Sequence, residues 1–320
     1  MNNIIEDDKP YRVGGLLYTP ALNEKIADKI IEKKIKNLTS LVFCLEDSIM
    51  DNGLEKAEQQ MKKSLDRLIE SGAELPMLFV RIRNPEHMEK IHNMLGETER
   101  ILTGYVLPKF DLSNADEYIA LIRKFNENTD KKLYIMPIFE SRVVAEQRNR
   151  AEALYAIKHR LDTAKEYVLN VRVGGNDFSN IFGLRRNKHQ NIYDIGVIRD
   201  ILVTILNVFS RDYIVSGPVW EYFGKDENDE WAKGLRKEIE LDMINGFIGK
   251  TAIHPSQLPI IYDSLKVYRS DYDDACAIVN WTDNGLAVSK GSGDRMNERK
   301  CHIKWAEKIV TLANIYGIKD

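Results

Sequence analysis

The order of the chain predicts an α/β protein, a (β/α)8 TIM barrel carrying a C-terminal helical extension. Three observations predict it. Eight short apolar runs alternate with segments of helical spacing. The runs are nearly continuous in apolar residues, as strands buried on both faces require. The alternation occupies roughly 250 residues, the usual length of such a barrel. An open, doubly wound sheet is the alternative, but no GxGxxG opens the first helix.

The first strand is read at 14–20 (GGLLYTP), followed by helical spacing over 23–36 at Ile26, Ile30 and Ile31. LVFCLED (41–47) is a second, fully apolar strand, and 54–71 is helical with Leu65, Leu68 and Ile69 on one face. The pattern repeats with strand 77–84 and helix 86–95, then strand 104–110 and helix 115–126. It continues with strand 133–140 and helix 145–161, then strand 167–174 and helix 193–209. The last barrel elements are strand 212–216, helix 230–245 and strand 246–255. Residues 1–260 are therefore expected to form the barrel. Residues 261–320 form the extension, with helices at 262–281 and 296–316 around a loop at 282–294.

Composition narrows the function classes. The formal net charge is -3 and Lys and Arg are interleaved with Asp and Glu, so no nucleic-acid or anionic-membrane surface is indicated. No apolar stretch reaches the ~20 residues of a membrane span, and the start of the chain has no signal-peptide pattern. Three cysteines without ligand spacing argue against a disulfide scaffold and for a reducing, cytoplasmic setting.

Active sites of such barrels sit at the carboxyl ends of the strands. Those ends supply Glu46 and Asp47, Arg81 and Arg83, Lys109, Glu140, Asp177, and Lys250 with His254. Charges crowded at one rim are costly unless they pair or bind a metal. Glu140 and Asp177, each closing an apolar strand, are the natural pair for Mg2+, which commonly takes one or two carboxylates and leaves positions for water and substrate. Asp177 as a mere helix cap is the plainer reading. Gly174 and Gly175 allow the backbone close to a ligand. Arg81 and Arg83 share a strand face and suit a substrate carboxylate, or else neutralise Glu46 and Asp47. Lys109 reads as a charge partner in preference to a Schiff-base nucleophile, since neighbouring acids raise its pKa. His159, His189 and Tyr193 receive no role, and Cys44 is assigned to the core.

The motifs LLYTP, CLEDSI, VRIRN, LPKF, PIFES, VGGNDFS and GKTAIHPSQ occur in this order from Leu16 towards the end of the chain. With them the chain resembles the HpcH/HpaI aldolase and citrate lyase beta-subunit family of Mg2+-dependent carbon–carbon lyases. The resemblance implies Glu140 and Asp177 as Mg2+ ligands, Arg81 on the carboxylate of a 2-keto acid, Glu46 beside the metal's water shell and Gly175 backbone on the same acid. It implies that GKTAIHPSQ, with Lys250 and His254, helps bind coenzyme A or a carrier-protein thioester. It also implies a homotrimer, with a late acid entering a neighbour's site; that acid falls on Glu298, or with a shifted gap the position is Asn297. Gly14 stands where relatives have an arginine, Arg83 is additional, and Cys44 replaces an acid. These departures resemble the branch associated with tellurium-resistance genes. The expected activity is aldol- or Claisen-type cleavage or condensation. A Schiff-base aldolase, a thioester hydrolase and a catalytically reduced metabolite-binding barrel are the alternatives.

Overall fold

A computed structural model describes residues 7–127, 129, 131–281, 288–291 and 295–320. Eight parallel strands form one sheet: β1 (Gly15–Pro20), β2 (Ser40–Cys44), β3 (Met77–Arg81), β4 (Gly104–Leu107), β5 (Tyr134–Phe139), β6 (Val171–Val173), β7 (Val215–Ser216) and β8 (Lys250–Ala252). Their order is β7-β6-β5-β4-β3-β2-β1-β8. Gly217 bridges Lys250 in parallel, and its amide donates to the Gly249 carbonyl at 2.9 Å, which joins β7 to β8 and closes the barrel. Leu16, Val42, Phe79, Val106, Met136, Ile138 and Leu169 fill the interior. Closure fixes which strand ends face one another, and so defines the rim.

The helices between strands follow their local signals. Asn84 accepts a hydrogen bond from the His87 amide, and Pro85 occupies the first turn of Pro85–Leu95. Leu54–Ser71 and Glu230–Asn245 stop at Gly72 and Gly246, whose φ values of 60° and 111° suit glycine. The single helix expected over 145–161 is instead Arg142–Ala145 and Arg150–Asp162. The Arg150 guanidinium accounts for the break, donating to the carbonyls of Val144 at 2.8 Å and Ala145 at 2.9 Å.

Strand β6 departs from regular pairing. Ile135 bridges Val168, whereas Ile138 pairs with Arg172, so β6 carries one more residue than β5 over the same span. Such an extra residue turns the following side chains to the other face. Leu169 and Arg172, an odd number of positions apart, consequently both reach the interior.

Lys250 faces the other way. Its side chain is fully buried outside the barrel, bonded to Glu238 at 3.0 Å and Asp242 at 2.6 Å. Arg186 also pairs with Glu238 at 3.2 Å, and the Tyr193 hydroxyl donates to Asp242 at 2.7 Å. The expectation that Lys250 meets a ligand is therefore corrected: the alternation of β8 sends Thr251 inward and Lys250 to the helix Glu230–Asn245.

A second compact unit is formed by the described parts of Met1–Arg12 and Tyr262–Asp320; the barrel unit is Val13–Ile261. The helix expected over 262–281 is replaced by the end of Gln257–Ser264, a short strand Val267–Tyr268 and the helix Arg269–Val279. Part of the loop expected over 282–294 lies outside the described residues; within it Val288–Lys290 pairs antiparallel with Met296–Glu298. The last helix is Arg299–Tyr316. Among the described residues no helix is long and apolar enough to cross a membrane.

Lys250→Ala would leave Asp242 without its cationic partner in the interior, while Glu238 keeps Arg186. Breaking a buried ion pair in this way is expected to lower unfolding stability by about 3–5 kcal/mol, measured by denaturant titration; an unchanged midpoint would contradict this account of the outer layer.

Candidate active site

The carboxyl ends of the strands surround a cavity of about 350 Å³. Tyr18, Thr19, Asp47, Arg81, Glu140, Arg172, Gly174, Asp177 and Thr251 contribute to its wall. Arg81, which follows the interior positions Met77 and Phe79 at alternate residues of β3, is its charged centre. The guanidinium, 8% exposed, contacts Glu46, bonds Asp47 Oδ2 at 2.7 Å and lies 3.9 Å from Glu140 Oε1. Above it the Tyr18 ring centroid is 5.7 Å away. Desolvation works against charge on Asp47, but Arg81 and Lys109 outweigh it and hold this carboxyl below its ordinary range.

Glu140 follows β5 and points inward two residues beyond Ile138. Its Oε1 accepts the Lys109 backbone amide at 2.9 Å. Lys109 reaches that position in the left-handed region, with φ 48°, and the Asn114 side chain holds its carbonyl at 3.1 Å. Asp177 lies in the first turn of the short helix Gly175–Ile181, which begins two residues after β6. Gly174 separates the two acids. A Cβ there would overlap Glu140, reaching Oε2 at 2.5 Å, and would stand 3.0 Å from Asp177 Oδ2. The two carboxylates therefore converge on one point that only glycine leaves open. Burial pushes the Glu140 carboxyl up to about 8; Arg81 opposes this shift, and the nearby Asp177 charge adds to it. The two acids thus share one small part of the cavity, and burial favours the neutral form of Glu140.

The remaining expected residues divide. The Glu46 side chain, 10% exposed, is held between Arg81 and Lys109, whose Nζ donates to Oε1 at 2.8 Å. That hydrogen bond raises the Lys109 pKa, with desolvation opposing it, so the ammonium is a charge partner and a poor Schiff-base nucleophile at neutral pH. Arg83 is a correction. Strand β3 ends at Arg81, and Arg83 turns back to donate to the carbonyls of Leu45 at 2.8 Å and Ile49 at 2.6 Å, and to pair with Asp51. It clamps the loop after β2 and leaves the cavity to Arg81. His254 stacks on Phe223 at 4.4 Å and bonds Ser256 at 2.8 Å, while the cavity wall takes Thr251 and Ile253 from this segment. Gly175 lines the cavity, packed against Ile192 and Pro218. Glu298 belongs to the second unit, where its amide donates to His302 Nδ1 at 3.0 Å; Asn297 there bonds Asp274 at 3.1 Å. Arg172 and Tyr18 line the cavity without having been anticipated. For Arg172 the only signal was a charge inside VRV, and strict alternation assigns it to the wrong face.

Residues 7–318 match the family of C–C bond lyases of the TIM-barrel fold. The chain belongs to this family. It is accordingly a carbon–carbon lyase. A citrate lyase from Burkholderia xenovorans LB400 is similar in structure, with TM-score 0.70 and 14% identity over 96% of this chain and 93% of that one. The CitE protein of Mycobacterium tuberculosis, solved with magnesium, acetoacetate and coenzyme A, gives TM-score 0.62 and 17% identity over 94% of this chain and 98% of that one. A malate synthase of Haloferax volcanii, solved with glyoxylate, gives 0.58 and 12% over 82% and 76%. At these identities the likeness is one of fold. No curated protein matches the lyase.

The raised Glu140 pKa has a sign that can be tested. A carboxyl whose folded pKa exceeds its ordinary 4.5 stabilises the fold when protonated. That contribution is complete below about pH 4.5 and is lost as pH rises through about 8. In chelator, the melting temperature of wild type relative to Glu140→Gln is expected to fall by several degrees between about pH 5 and pH 9. Parallel curves for the two proteins would contradict the assigned shift.

Proposed function

We propose that the lyase uses Mg2+ held by Glu140 and Asp177 to make or break a carbon–carbon bond adjacent to a 2-keto acid. The convergence of these two carboxylates over Gly174 carries the reading. Among the described residues no cluster of three or more His, Cys, Asp or Glu side chains forms a metal cage. A pair of carboxylates inside an open cavity fits Mg2+, which keeps several positions for water and substrate oxygens. A cation held by both acids would relieve their unfavourable proximity and would favour the ionised form of Glu140. Such an ion would supply Lewis-acid polarisation of a substrate carbonyl or alkoxide oxygen.

The chain's own residues complete the chemistry. Arg81 offers a buried guanidinium whose Nε has no partner among the described residues, and it balances the carboxylate of the 2-keto acid. Glu46, fixed by Arg81 and Lys109, is assigned to steer the proton that leaves or returns to the substrate hydroxyl. Lys109 acts through Glu46 and through the amide that orients Glu140. The Gly174–Gly175 backbone leaves room for the chelating end of the substrate. The second reactant is an acyl thioester, of coenzyme A or a carrier protein, or a related carbonyl compound. The CitE protein solved with coenzyme A supports this class, and Gly14 in place of the family's arginine favours the related compound. The setting is cytoplasmic and the assembly a homo-oligomer, with the second unit and Glu298 meeting a neighbouring copy.

Calorimetric titration of pyruvate, glyoxylate and oxaloacetate, in Mg2+ and in EDTA, tests the reading on wild type and Asp177→Asn. Binding is expected in Mg2+ and is expected to weaken at least about tenfold in EDTA or in Asp177→Asn. Binding indifferent to EDTA would overturn the metal assignment and return Lys109 to consideration as the nucleophile.

A further inference from the structure

Arg172 is the charged group of the cavity that the proposed chemistry leaves unused. Its side chain is 1% exposed, and its guanidinium lies among the cavity-lining residues. Nη2 donates to Thr251 Oγ1 at 2.8 Å, while Nε and Nη1 have no partner among the described residues. Arg81 is the contrast, since it meets Glu46, Asp47 and Glu140. No carboxylate is paired with Arg172 among the described residues; its titratable neighbour is the Tyr18 phenol, which burial keeps neutral, and burial depresses the pKa of Arg172 itself. An uncompensated guanidinium in a protein interior is expensive. A bulge in β6 was needed to bring it there, because regular pairing would have turned this position out of the barrel.

Position decides what the group can meet. Arg172 pairs in register with Ile138, and Glu140 lies two residues further along the same face of β5. The Arg172 guanidinium is held at Thr251 and beside Tyr18, and it meets none of the carboxylates that surround Arg81 among the described residues.

We infer that Arg172, with the Thr251 hydroxyl and the Tyr18 phenol, forms a second anion subsite, and that the substrate carries a second anionic group on the chain leading away from its 2-keto acid end. This rests on the keto-acid reading of the rim. A carboxylate and a phosphoryl group share the required chemistry. The subsite selects among 2-keto acids by the charge of the far end, and Arg172 is its specificity-determining residue.

The test is calorimetric titration in Mg2+ of four 2-keto acids: pyruvate, 2-oxobutyrate, oxaloacetate and 3-phosphonopyruvate. Wild type is expected to bind at least one of the two doubly anionic compounds about tenfold or more tightly than 2-oxobutyrate, whose chain is of similar length and uncharged. The preferred one identifies the far group as carboxylate or phosphoryl. Arg172→Met is expected to lose that preference while binding pyruvate and 2-oxobutyrate as wild type does, and Arg172→Lys to recover part of it. Equal affinity of wild type for charged and uncharged chains would overturn the inference, as would a preference that survives in Arg172→Met. An equal weakening of all four ligands in Arg172→Met would also overturn it, since the arginine would then serve the shared keto-acid end or the fold. If Arg172→Met does not fold, the wild-type comparison and Arg172→Lys decide. Repeating the wild-type series in EDTA separates the two readings. Loss of charge preference with Mg2+ dependence retained sinks the second subsite alone, and Mg2+ independence sinks the metal reading.

Discussion

Arg81 is the point on which the electrostatics of the rim depend. Glu46 and Asp47 arrive from the end of β2 and Glu140 from the end of β5, and all three lie within reach of one buried guanidinium. Without it, the largely buried Glu46 and Glu140 side chains would lose the guanidinium they share. Arg81 keeps Asp47 below its ordinary range, yet Glu140 stays high because burial and Asp177 outweigh the more distant arginine. The site is thus graded: Glu46 and Asp47 meet Arg81 closely, and Glu140, beside Asp177, lies further from it.

The same barrel manages charge differently on its two faces. Lys250, Glu238, Asp242 and Arg186 form a closed network between β8 and the helix Glu230–Asn245, where hydrogen bonds from Tyr193 and the Ile192 amide add to the ion pairs. Such a network holds a helix to a strand. At the rim Arg172 has no carboxylate partner among the described residues, whereas Arg186 in the outer layer meets Glu238. The presence or absence of a counter-charge separates these two buried guanidinium groups more clearly than residue type does. Arg83 belongs with architecture, because it bonds backbone carbonyls and shapes the loop that presents Glu46 and Asp47.

Two small backbone features set what the cavity can hold. Lys109, at positive φ, aims its amide at Glu140 and fixes that carboxylate in place. The extra residue in β6 turns Arg172 from the outer layer to the cavity wall.

The amino-acid sequence determined the alternation of strands and helices, since continuous apolar runs and helical spacing are local properties. It also determined Glu46, Asp47, Arg81, Glu140 and Asp177 as rim residues, because a carboxyl-end position in a parallel barrel follows from where an apolar run stops. The motif order carried the family on the same local terms. Tertiary structure alone decided which charges meet. Lys250 opens β8 rather than closing it, and strand alternation turns it to the outer layer, while His254 follows the strand and stacks on Phe223. Arg83 required the end of β3 to be known to the residue. Arg172 required the register between β5 and β6, a relation between segments that no single stretch of sequence contains. A slip of one residue inverts every side chain beyond it, and pairing of strands distant in sequence is what fixes that slip.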